Sequence, residues 1–131
     1  MALNLKILYR GPLSSCNYDC HYCPFAKRRE SAAELRRDRE ALARFAGWVQ
    51  EQSDCRLSIL FTPWGEALTR RWYREAIVAL SHLPHVAKVA IQTNLSCPTD
   101  WLDDVNRETT ALWCTWYSSH SSGQRFRIHC G

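Results

Sequence analysis

The sequence of this 131-residue chain predicts an α/β fold on a parallel sheet, with about four βα units. Two patterns carry that expectation. Short apolar runs closed by glycine, proline or threonine alternate with longer segments whose apolar residues recur at helical spacing. Strand–helix alternation of this kind implies right-handed crossovers and parallel pairing. A third observation is one of placement. The segment richest in cysteine directly follows the first apolar run, and in parallel barrels the working residues lie on loops at the carboxyl ends of strands.

Leu5-Lys6-Ile7-Leu8-Tyr9, ended by Gly11-Pro12, reads as a buried first strand. Ser31-Ala32-Ala33-Glu34 is a capping box that starts a helix at Ser31, and Leu35, Leu42, Phe45, Ala46 and Val49 continue it to about Gln52. Arg56 to Phe61 is the second strand, closed by Thr62-Pro63. Thr69 is placed to cap a second helix with Trp72, Tyr73, Ala76, Ile77 and Leu80 on one face, ended by Pro84. Val86 to Thr93 is the third strand and Thr99 to Val105 a short helix. Thr110 to Trp116 is the fourth strand. Residues 118–131, rich in serine, read as a low-order tail behind a core spanning 1–117.

Lys and Arg number 17 against 13 acidic residues, a net charge of +4. Much of the excess lies between Lys27 and Arg44, where mixed signs fit a solvated helix face better than a phosphate-binding patch. The composition gives no strong argument for nucleic acid as a partner. No stretch is long enough for a transmembrane helix, so no membrane partner is expected. The opening apolar run is too short for a secretory signal, and the cysteine count is seven, an odd number. Together these point to a reducing, cytoplasmic setting rather than a disulfide framework.

Cys16, Cys20 and Cys23 stand in the run Ser15-Cys16-Asn17-Tyr18-Asp19-Cys20-His21-Tyr22-Cys23-Pro24. Three thiolates within eight residues can converge on one soft metal centre. A cubane iron–sulfur cluster normally takes four cysteines, so three leave one iron open to a small molecule. Zinc completed by His21 or by a distant cysteine is the other chemistry that the spacing allows. In that case the chain is a zinc-stabilised binding module without catalysis. Of the remaining cysteines, Cys55 and Cys114 read as small core residues at strand positions and Cys97 as core just past the third strand. His82 and His85 flank a helix end.

The CxxxCxxC spacing, with Tyr22 before the third cysteine, resembles the cluster loop of the radical SAM superfamily. Two further stretches resemble it in order. Phe61-Thr62-Pro63-Trp64-Gly65-Glu66-Ala67-Leu68 is similar to the Gly-Gly-Glu-Pro stretch after the second strand, with Trp64 and Ala67 departing from it. Thr93-Asn94 follows the third strand, as in the family, with Leu95 where glycine is usual.

The resemblance spans about Leu5 to Tyr117 and implies a partial parallel (β/α) barrel. Cys16, Cys20 and Cys23 would hold a [4Fe–4S] cluster whose open iron binds S-adenosylmethionine. Gly65 and Glu66 would meet the amino group of its methionine part, Thr93 and Asn94 would line the site, Tyr22 would pack near the adenine, and Thr115 would lie near the ribose. The implied activity is reductive cleavage of S-adenosylmethionine to methionine and a 5′-deoxyadenosyl radical, which abstracts hydrogen from a substrate carbon. That chemistry requires an electron donor such as flavodoxin or ferredoxin. The sequence does not identify the substrate or a catalytic residue acting on it. Four βα units are fewer than the six of the family's barrel, and the apolar fourth strand would be left at a sheet edge. The chain therefore also reads as an inactive fragment or shortened form of a longer enzyme.

Overall fold

A computed structural model describes residues 3–12, 30–63, 66–117 and 125–130. In order they form β1 (Leu3–Tyr9), α1 (Ala32–Glu51), β2 (Cys55–Phe61), a 3-10 turn (Ala67–Thr69), α2 (Arg71–Ser81) and β3 (Val86–Thr93). A second 3-10 turn (Asp100–Asp103), β4 (Thr110–Tyr117) and β5 (Arg125–Cys130) complete the series. The fold is α/β, and its one described sheet has the strand order β1-β2-β3-β4-β5. The first three pairings are parallel and the last is antiparallel.

The local chemistry of α1 matches the sequence. Ser31 Oγ accepts from the Glu34 amide and Glu34 returns a bond to the Ser31 amide, satisfying two donors that the first helical turn leaves bare. Such a cap stabilises a helix by about 1 kcal/mol. At the other end of α1 the His85 ring donates from Nε2 to the Val49 carbonyl at 2.6 Å. The α2 cap differs from expectation. Thr69 is spent inside the preceding 3-10 turn, donating to the Glu66 carbonyl at 2.9 Å, and Arg70 takes the cap position without a side-chain capping bond.

Burial alternates along the strands and defines two faces. Leu57, Ile59 and Phe61 of β2 and Val89 and Ile91 of β3 are buried with Leu42 and Val49 of α1 and Tyr73, Ile77 and Leu80 of α2. Both long helices therefore cover one face of the sheet, as right-handed crossovers require. Each of those larger apolar side chains contributes roughly 1.5–3 kcal/mol by leaving water. The opposite face carries Lys6, Leu8, Ser58, Leu60, Lys88, Gln92 and Trp113, and Leu8 is 70 % exposed.

Two expectations need correction at the carboxyl-terminal end. Arg125–Cys130 of the presumed tail is a strand, and its register sets Leu112 opposite Cys130 and Trp116 opposite Phe126. Phe126, Ile128 and Cys130 alternate with Arg125, Arg127 and His129, which is the period of a strand. As a result β4 is interior: β5 takes the edge that β4 was expected to leave bare. The helix expected between β3 and β4 is reduced to the 3-10 turn at Asp100–Asp103.

Candidate functional site at the carboxyl ends of the strands

Parallel pairing brings the ends of β1, β2 and β3 to one rim of the sheet, with Tyr9 opposite Phe61 and Phe61 opposite Ile91. Glu66, five residues beyond β2, turns back over this rim and is only 3 % exposed. Its Oε1 accepts from Thr93 Oγ1 at 2.6 Å and from the Leu68 amide at 3.3 Å, while Oε2 accepts from the Asn94 amide at 2.6 Å. Burial pushes the Glu66 carboxyl up. The bonds from Thr93, Asn94 and Leu68 pull the other way by favouring the charged form. A carboxylate has about four lone-pair positions, so the three donors among the described residues leave room for one more.

The loop beyond β3 is arranged around the same carboxylate. Thr93 Oγ1 also accepts from the Leu95 amide at 3.0 Å. Asn94 Oδ1 accepts from the Ser96 amide at 3.0 Å and from the Ser96 hydroxyl at 2.5 Å, closing a local turn. Leu95 has φ +57°, the left-handed region where a side chain crowds its own backbone. The geometry at that position is the one glycine adopts freely. Cys97, half-buried against the core, has its thiol pushed up by burial and by the charge of Glu66.

At the end of β1 the chain turns sharply. Gly11 has φ +69°, and a Cβ there would meet Tyr73 Oη at 2.9 Å and Asp38 Oδ1 at 3.4 Å. Asp38 is fully buried between α1 and α2 and accepts from Trp72 Nε1 at 2.7 Å and from Tyr73 Oη at 3.0 Å. Burial and the Asp38 charge push the Tyr9 phenol up to about 12. The Tyr9 hydroxyl is buried and has no hydrogen-bond partner among the described residues.

Thus Glu66, Thr93 and Asn94, singled out on separate stretches of sequence, are brought together by direct hydrogen bonds. Gln92 and Asn94 do not share a strand face, because β3 ends at Thr93; Gln92 is exposed on the open face. Thr115 lies in β4 opposite Arg127. Cys16, Cys20, Cys23, Tyr22, Trp64 and Gly65 lie outside the described residues. Among the described residues no group of three or more His, Cys, Asp or Glu side chains is placed to hold a metal. None of the described helices is long and apolar enough to cross a membrane.

No family model matches the chain, and neither a curated protein nor a solved structure does. A functional reading therefore rests on the residues themselves. Asp38 is the one that sequence reasoning missed. It lies in a run of mixed charges, yet it stands three residues after Leu35 and four before Leu42, on the stripe that faces the core. That spacing was the available signal.

Proposed function

We propose that the chain is an iron–sulfur protein of the radical SAM type, with its parallel strands forming part of a (β/α) barrel. Cys16, Cys20 and Cys23 would hold a [4Fe–4S] cluster with S-adenosylmethionine at the open iron, and a small electron-transfer protein would supply the electron. The observation that supports this most is the convergence of Glu66, Thr93 and Asn94 at the carboxyl rim of the sheet. β1, which the segment bearing the three thiols follows in sequence, ends at that same rim. Leu95 adds to it by adopting a glycine-like conformation where the family has glycine.

The described residues fit the amino-acid part of the cofactor in a definite way. The acceptor position left on Glu66 suits an ammonium, and Thr93 and Asn94 fix the orientation of the carboxylate that offers it. Glu66 is only 3 % exposed, and the Ala67 and Leu68 that follow it are fully buried, so water has little access to this carboxylate. The bound cluster and cofactor would supply a one-electron cleavage that yields a carbon radical for hydrogen abstraction; orientation and exclusion of water fall to this chain.

Anaerobic reconstitution with iron and sulfide tests the proposal. The expected result is broad absorbance near ~400 nm with about four irons per chain. Cys16→Ala, Cys20→Ala or Cys23→Ala should lose it, and Cys55→Ala should keep it. S-adenosylmethionine should alter the electron-spin resonance of the reduced cluster, and Glu66→Gln should weaken that change. A colourless protein that retains one zinc ion would replace this reading with the zinc-stabilised module.

A further inference from the structure

The sheet face away from the helices carries a groove of about 330 Å³, a size that suits a small molecule rather than a macromolecule. Its floor is organised in rows by the strand register. Lys6 lies opposite Ser58, and Ser58 opposite Lys88, so two ammonium groups flank one hydroxyl across three strands. The next row on this face, one pleat nearer the carboxyl rim, is apolar: Leu8, Leu60 and Ala90, beside Trp113 of β4. Leu8 is 70 % exposed and Trp113 is 40 % exposed.

Charge is one-sided here. Lys6, Arg56 and Lys88 share the face, all exposed, and the described strand residues β1–β4 place no acidic side chain on it. Neither Lys6 nor Lys88 has an ion-pair partner among the described residues. Two strand spacings separate their Cα atoms by about 10 Å, and each four-carbon stem covers half of that. Both ammonium groups can therefore close on one anion above the Ser58 hydroxyl. Two positive charges and a donor match the charge and oxygen count of a phosphate monoester. The apolar row fixes where the rest of the ligand lies.

We propose that this face binds a small phosphate monoester with an apolar or aromatic body. Lys6, Ser58 and Lys88 hold the phosphate, and Leu8, Leu60 and Trp113 cover the body. The assignment goes beyond the iron–sulfur reading and does not depend on it.

Titration calorimetry with 1-naphthyl phosphate, against 1-naphthol and inorganic phosphate, is the test. Naphthyl phosphate should bind saturably and more tightly than either fragment, and weaken as salt rises. Lys6→Gln or Lys88→Gln should each cost up to about fivefold in affinity, and the double variant about tenfold or more. Ser58→Asp, which sets a negative charge between the lysines, should abolish binding. The idea is overturned if 1-naphthol binds as well as its phosphate, or if the double variant binds unchanged. A single-stranded oligonucleotide binding more tightly than the monoester would also overturn it, by making the face a polymer platform. Cys16→Ala should leave this titration unaltered and Lys6→Gln should leave the cluster colour unaltered, so the two proposals fail separately.

Discussion

Replacing Glu66 by glutamine asks how much the loops beyond β2 and β3 depend on one carboxylate. Three donors converge on its two oxygens: Thr93 Oγ1, the Asn94 amide and the Leu68 amide. A glutamine keeps one accepting oxygen. If that oxygen replaces Oε1, its NH2 faces the Asn94 amide; if it replaces Oε2, its NH2 faces the Leu68 amide. Either way one backbone N–H at a buried site loses its acceptor, a cost of about 1–3 kcal/mol.

The pH dependence sharpens this test. Burial sets the folded carboxyl above its ordinary value of 4.5, so the folded chain binds that proton more tightly than the unfolded chain. The resulting stabilisation is fully present below 4.5 and is lost as pH rises through the folded value. Glutamine does not titrate and so lacks this linkage, and the gap between wild type and Glu66→Gln should be wider at about pH 4.5 than at about pH 8. Urea denaturation followed by tryptophan fluorescence measures both gaps. A variant within about 0.5 kcal/mol of wild type at both pH values would show that Glu66 does not tie the two loops.

Gly11→Ala should destabilise the fold by about 2–4 kcal/mol, combining left-handed strain with displacement of the buried Tyr73 hydroxyl from Asp38; a loss below about 1 kcal/mol in the same denaturation assay would rule out a rigid turn there. Leu95 separates backbone strain from packing. Leu95→Val puts a branched side chain at φ +57° and should cost more than about 1 kcal/mol. Leu95→Gly should be close to neutral, because relief of strain of about 1 kcal/mol offsets the lost apolar contact. Thermal melts of the pair check this, and equal losses in both would assign the whole effect to packing.

Much of the framework was legible because local and tertiary preferences agree. The Ser31 capping box, the apolar runs of β2 and β3 and the helical stripe through Leu42 and Val49 each serve the same core. Thr93 and Asn94 were legible as strand-end residues, but their common partner was not, since nothing in either stretch says that Glu66 folds back over the rim. Asp38 was read as one charge among many because the neighbouring Arg36, Arg37, Arg39 and Glu40 are exposed. Its burial depends on donors from Trp72 and Tyr73, more than thirty residues away in sequence. Strand β5 was missed for a related reason. Its alternation is short, follows a serine-rich stretch, and becomes a strand through pairing with β4. Thr69 was a sound helix cap by chemistry, but the Glu66 carbonyl claimed its hydroxyl first.

The spatial order of the strands repeats their order along the chain, and that has a consequence for assembly. Leu3 must find Cys55 across about 50 residues, whereas Leu112 finds Cys130 across about 20, an entropic difference of about 1 kcal/mol in loop closure. No pairing has to wait for a strand more distant in sequence. Contacts therefore zip most readily from the β4–β5 hairpin backwards, and pulse-labelled amide exchange should find β1 the last strand protected. That strand leads straight into the segment with the three thiols. On this order of events β2 to β5 are already paired when β1 arrives, and that edge beside β2 is the last part of the sheet to close.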